Sequence, residues 1–246
     1  MKKDNYFLGV NILLLLIVLI GFAPTFYLRP LSDQEPLPFY LIIHGISCTA
    51  WFVVIVIQSL FVKNRKIAQH KFYGNYFSLI APVIVISGYA VLIYSTGQYH
   101  QQFALLDSVK EIEGERMFTA LIIVGDFIQL IVYLIFVYLG YRFRSNGTYH
   151  KRAMLIASIL ICQQALVRIG KFEFLMIGEN PGASGGIYAV IVPFLMLLSL
   201  LVFDTVKFKK PQKISVIGIV TYVAFVATSM ALNVSGLAVD LLESLR

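Results

Sequence analysis

The sequence predicts an all-α, polytopic membrane bundle of seven transmembrane helices, and three observations carry that expectation. Of its 246 residues, 59% are hydrophobic and only 13% charged, against roughly 25% charged in ordinary soluble domains. The apolar residues gather in seven runs, each near the roughly 20 residues needed to cross about 30 Å of hydrocarbon. The charges fall between those runs, and the basic ones concentrate in alternate connections. A mean hydropathy of +0.81 fits the same picture. One integral membrane domain over 1–246 accounts for the chain and leaves no stretch for a sizeable soluble unit.

The first run, 5–28, follows Lys2 and Lys3, the pattern that also opens a signal peptide. A cleavable apolar region is usually about 7–15 residues and ends at a small-x-small site. This run is longer, and Phe22, Ala23 and Pro24 supply no such site, so a retained helix is expected. Further spans are predicted at 39–62, 72–94, 117–141, 153–175, 187–206 and 214–237.

Orientation follows from the basic residues. Lys2 and Lys3 share one side with Lys63, Arg65, Lys66 and Lys71, with Arg142, Arg144, Lys151 and Arg152, and with Lys207, Lys209, Lys210 and Lys213. Asp107, Glu111, Glu113 and Glu115 are among the acids of the opposite side. The N-terminus is therefore expected in the cytoplasm, the C-terminus outside, and the chain in the inner (plasma) membrane. The net charge of +7 is spent on these loops, so the partner it implies is the lipid bilayer and not a nucleic acid.

The connections add little chemistry. The longest, 95–116, is external and includes an amphipathic stretch, Leu105 to Ile112, that predicts a short surface helix. Gly178 to Gly186 reads GENPGASGG, lacks the lysine of a phosphate loop, and predicts a flexible turn. Asn146 to Thr148 matches a glycosylation sequon but would face the cytoplasm. Cys48 and Cys162 both lie inside apolar runs, so they read as packing residues and not as a disulfide.

Ionisable groups inside hydrocarbon cost roughly 2.5–3.5 kcal/mol each on insertion scales, so each calls for a partner or a wet cavity. His44, Asp126 and Arg168 are such groups, all placed in the outer half of the bundle. Tyr40, His44, Cys48, Trp51, Ile55 and Gln58 step by three or four along the second span, as do Asp126, Gln129 and Tyr133 along the fourth. Gln164, Arg168 and Lys171 mark a stripe on the fifth. The pattern predicts a shared polar interior that binds a ligand through His44, Trp51, Asp126, Gln129, Gln164 and Arg168, with an Asp126–Arg168 ion pair. A purely structural pair is the competing reading.

At the cytoplasmic side, His70 and His150 each precede a lysine at a helix start, a place suited to lipid headgroups or, alternatively, to paired axial ligation of a heme. His100 is expected in solvent, Asp204 in a surface pair with Lys207, and Gln58 and Gln163 in interhelical hydrogen bonds.

His44, Trp51 and Gln58, then HKFYG from His70 to Gly74, then HKRAMLIASILICQQALVRIGK from His150 to Lys171, resemble an uncharacterised family of predicted bacterial multi-pass membrane proteins. The similarity runs from the second span to the fifth, and it implies an architecture without an activity. A weaker resemblance is to transmembrane b-type cytochromes, whose heme ligands come from alternate helices. It implies heme b on His70 and His150, and it fails at the outer side, where His44 faces no second histidine.

The function expected is a membrane protein that binds or moves a small molecule or protons through an outer site. A heme electron carrier is the first alternative and a membrane-embedded hydrolase or acyltransferase the second. No elbow-type serine or HExxH pattern supports the enzyme.

Overall fold

The computed structural model describes residues 5–99 and 109–244, and every regular element among them is helical. In chain order these are α1 (Tyr6–Phe22), α2 (Phe39–Lys63), α3 (Ile67–Phe77), α4 (Ile80–Tyr99), α5 (Val109–Arg142) and α6 (Gly147–Ile161). They continue with α7 (Gln163–Ile169), α8 (Pro181–Phe208), α9 (Lys213–Val234) and α10 (Leu237–Ser244). Six stretches are long and apolar enough to cross a membrane: Tyr6–Tyr27, Phe39–Lys63, Ile67–Tyr99, Arg116–Arg142, Pro181–Phe208 and Lys213–Val234. Helices α6 and α7, bent by 41° at the break between them, make a seventh if the pair is counted as one span. The chain is thus an all-α bundle with the helices of a multi-pass membrane protein.

Several boundaries differ from expectation, each for a local reason. The fifth span starts early because Asn146 caps α6, its side chain accepting from the backbone N–H groups of Thr148 (3.1 Å) and Tyr149 (3.2 Å). The residue that reads as a sequon is a helix cap. In the expected turn GENPGASGG, only the first three residues are loop. Asn180 accepts from the Ala183 N–H at 2.9 Å, Pro181 occupies the first helical position, and α8 runs from there. Its glycines serve packing: a Cβ on Gly185 would sit 2.6 Å from the Val167 carbonyl oxygen, and one on Gly170 2.8 Å from the Gly185 Cα. His100 and residues 105–108 of the expected surface helix lie outside the described residues, while Val109–Ile112 begin α5.

Helix α6 is the core of the bundle, with Ala153, Ile156, Ala157 and Ile159 fully buried. It packs against α1, α5, α8 and α9. Large apolar side chains also point outward, with Ile86 at 71% and Val220 at 60% exposure, the arrangement a lipid solvent favours and water does not.

Backbone breaks inside the bundle are repaired by side chains from neighbours. Pro193 in α8 cannot donate to Ala189 four residues back, which leaves that carbonyl without its helical partner. Gln163 Nε2 (3.0 Å) and Tyr222 Oη (3.2 Å) donate to it instead, and Tyr222 Oη also reaches the Val190 carbonyl at 2.8 Å. Gln163 is therefore the interhelical donor expected. At the break between α6 and α7, Gln129 Nε2 donates to the Leu160 carbonyl.

Candidate functional site

Three polar side chains converge at the end of the bundle where the basic loops lie: Gln58 near the end of α2, His70 in α3 and His150 in α6. The imidazole rings of His70 and His150 lie 6.0 Å apart between centroids, 74° out of parallel. His150 Nδ1 is 2.8 Å from the Gly140 carbonyl near the C-terminal end of α5, where helical carbonyls lack intrahelical donors. A carbonyl only accepts, so Nδ1 carries the proton and Nε2 keeps a lone pair. His70 Nδ1 and both amide atoms of Gln58 are shielded from solvent with no hydrogen-bond partner. Gln58 is thus not the interhelical bonder expected. Gly74, one turn after His70, leaves room here, since a Cβ on it would meet nothing closer than the Gln58 amide at 3.9 Å.

Toward the other end, Gln164 Nε2 donates to Asp126 Oδ1 at 2.6 Å. Arg168 Nη1 donates to the Gln164 carbonyl at 2.9 Å, and its guanidinium stacks 4.4 Å over Phe22. The expected Asp126–Arg168 ion pair is absent: among the described residues the ion pairs are Arg116–Glu243 and Arg152–Asp204. Gln164 of α7 instead bridges the two, its side-chain amide to Asp126 and its carbonyl to Arg168.

His44 joins neither residue. Its Nδ1 meets Ser87 Oγ of α4 at 3.0 Å and its Nε2 meets Cys48 Sγ at 3.5 Å. Trp51 Nε1 donates to Ser158 Oγ at 3.0 Å, and its ring packs edge-on against Tyr133, centroids 5.4 Å apart. The six expected site residues therefore divide among separate contacts: Asp126, Gln164 and Arg168 together, His44 against α4, and Trp51 and Gln129 satisfied by α6.

The strongest polar contact was legible only in part. Arg152 and Asp204, assigned from sequence to a loop and to a surface pair with Lys207, are both fully buried and paired. Arg152 Nε lies 2.8 Å from Asp204 Oδ2, its Nη1 donates to the Thr148 carbonyl at 2.9 Å, and Ser215 Oγ donates to Asp204 Oδ2 at 2.6 Å. Asp204 falls inside an apolar run, the one signal that pointed to burial.

Among the described residues no group of three His, Cys, Asp or Glu side chains is placed to hold a metal ion. Comparisons with protein-family models, curated proteins and solved structures find no match to this chain.

Proposed function

We propose that this multi-pass membrane protein holds a heme iron at its cytoplasmic end, with His70 and His150 as axial ligands, and serves one-electron transfer. The observation that carries the reading is the juxtaposition of the two imidazoles, 80 residues apart in sequence, with the Nδ1 of His70 unpartnered. Imidazoles with ring centres about 6 Å apart would be within reach of one shared metal, each through a ring nitrogen at about 2 Å. His150 carries its other ring proton to a backbone carbonyl, the support that metal-ligating histidines use to fix tautomer and ring orientation.

A bare ion held by protein alone calls for three or four side chains, and among the described residues no third ligand of that kind stands beside this pair. A heme brings its own equatorial nitrogens and asks the protein for axial ligands only. The two histidines and the unpartnered amide of Gln58 would be the residues to hold such a group. Bound there, heme supplies a one-electron couple. The chain's own part is to hold the imidazoles, exclude water, and offer Gln58 as a hydrogen-bonding neighbour.

The test is the absorption spectrum of the full chain purified after expression with heme supply. A Soret band is expected, lost in His70→Ala and in His150→Ala while thermal unfolding shows both variants folded. No band in the wild type, or a band that survives both substitutions, overturns the reading.

A second reading places small-molecule or proton binding at Asp126, Gln164 and Arg168. What favours it is a carboxylate within a span whose hydrogen-bond partner is a neutral amide and not a cation.

A further inference from the structure

Resting on the second reading, small-molecule binding at Asp126, Gln164 and Arg168, we propose that the ligand there is a zwitterion, with a primary ammonium held by Asp126 and a carboxylate or phosphate held by Arg168. The cluster shares no residue with the histidine pair, so it does not depend on heme.

Opposite charges in neighbouring spans usually pair, because each alone is expensive in hydrocarbon. Arg152 and Asp204 do so, guanidinium directly on carboxylate and both fully buried. Asp126 and Arg168 do not. Gln164 bridges them, its side-chain N–H donating to Asp126 Oδ1 at 2.6 Å and its carbonyl accepting from Arg168 Nη1 at 2.9 Å. Each ion is therefore only partly used. Asp126 Oδ2, Arg168 Nε and Arg168 Nη2 make no hydrogen bond or ion pair among the described residues. Both residues are half-buried, and none of these three atoms is among the solvent-shielded ones without a partner, so they remain open to a ligand.

The packing of α1 on α7 sets the guanidinium. A Cβ on Gly21 would collide with the Ala165 carbonyl, so glycine lets the end of α1 lie directly against α7. Phe22 then stands with its ring centre 4.4 Å from the Arg168 guanidinium. Stacking covers a face of the guanidinium plane and leaves the edge, where its N–H groups point, for an oxyanion. Phe22 is the last residue of α1 and Arg168 the last but one of α7. The cluster is thus placed near helix ends, where a solute or a lipid headgroup arrives.

Charge selects the ligand. The cluster carries one acidic and one basic group, so a zwitterion leaves its net charge unchanged. An anion or a cation alone adds an unbalanced charge within a span. An ammonium has N–H groups to donate to Asp126 Oδ2, and a carboxylate or phosphate accepts from the guanidinium fork. A quaternary ammonium has no N–H to give.

The test is equilibrium dialysis of the full chain in detergent, with labelled glycine and phosphoethanolamine as probes and acetate and methylammonium as single-charge controls. One zwitterion per chain is expected, bound about 10–100-fold more tightly than either control. Asp126→Asn, which keeps an acceptor for Gln164, should bring the zwitterion down to the affinity of acetate. Arg168→Lys, which keeps the charge and loses the fork, should weaken zwitterion and acetate alike. Thermal unfolding checks that both variants are folded. A lipid source is read separately: phosphatidylethanolamine should then stay with the chain through detergent exchange in preference to phosphatidylcholine, and lose that preference in Asp126→Asn. Acetate bound as tightly as glycine and phosphoethanolamine, or a zwitterion or lipid preference that survives Asp126→Asn, overturns the zwitterion while small-molecule binding stands. No binding of any probe or lipid, with proton uptake on acidification the same in Asp126→Asn, overturns both.

Discussion

Two polar clusters in this bundle teach opposite lessons. Around Arg152 and Asp204 every direction is filled: bidentate contacts between the pair, Thr148 and Ser215 as further partners, and the Phe7 and Phe208 rings 5.6 and 5.3 Å from the guanidinium. Around Gln58 and His70 the residues are only half-buried, yet three solvent-shielded polar atoms have no partner. Atoms shielded from solvent occur in both clusters, so shielding by itself does not distinguish them. Satisfaction does, because an unfilled buried donor or acceptor costs about 1–3 kcal/mol and persists where something else fills it. Arg152 and Asp204 tie α6 to α8 and, through Ser215, to α9. The histidine pair joins α3 to α6 and leaves His70 Nδ1 without a partner.

The largest effect expected from breaking this contrast is at Asp204. Asp204→Ala strands a buried guanidinium and should destabilise the protein by about 3–5 kcal/mol, measured as loss of folded protein in thermal or denaturant unfolding. Adding Arg152→Met should recover most of that loss, since the cost lies in the uncompensated charge. Strictly additive losses would reject the structural reading.

Next in size is Tyr222→Phe, which removes a donor from the Ala189 and Val190 carbonyls beside Pro193. An expected loss of about 1.5 kcal/mol follows from the lost hydrogen bond, since the Ala189 carbonyl keeps Gln163 as a donor, and a Pro193→Ala background, which restores the helical donor to Ala189, should shrink it.

A smaller effect sharpens the outer cluster. A double-mutant cycle between Asp126→Asn and Gln164→Leu should show a coupling of about 1 kcal/mol, and the cycle between Asp126→Asn and Arg168→Met less. A stronger Asp126–Arg168 coupling would restore the ion pair that the geometry lacks.

Smallest, and opposite in sign, is Gln58→Leu. With no ligand bound it should leave stability unchanged or raise it by up to about 1 kcal/mol, because an unpaired buried amide is exchanged for an apolar group of similar volume. In the same variant the heme content should fall. A destabilised ligand-free protein would mean that Gln58 is a structural group after all.

The spans were legible because apolar length is a one-dimensional property. The helix ends were not, although their parts were visible: Asn180-Pro181 is a cap followed by a helix start, and it was hidden by the surrounding glycines. Polar stripes on α2 and α5 were also legible, yet a stripe states which residues share a face and not what stands opposite. His44 shares its stripe with Trp51, but Ser87 is across from one and Ser158 from the other. The Arg152–Asp204 pair was missed for the same reason. Arg152 was assigned to a loop and Asp204 to a nearby lysine at the end of its span, while 52 positions of chain separate the two partners.

Sequence by itself determined that the chain is a helical membrane bundle, because every backbone group in hydrocarbon must be paired within its own segment and only long apolar helices do that. The order of helices around the bundle was left to tertiary packing, and with it which buried polar atoms found partners. Those atoms are satisfied across helix interfaces, where distance in space bears no relation to distance along the chain.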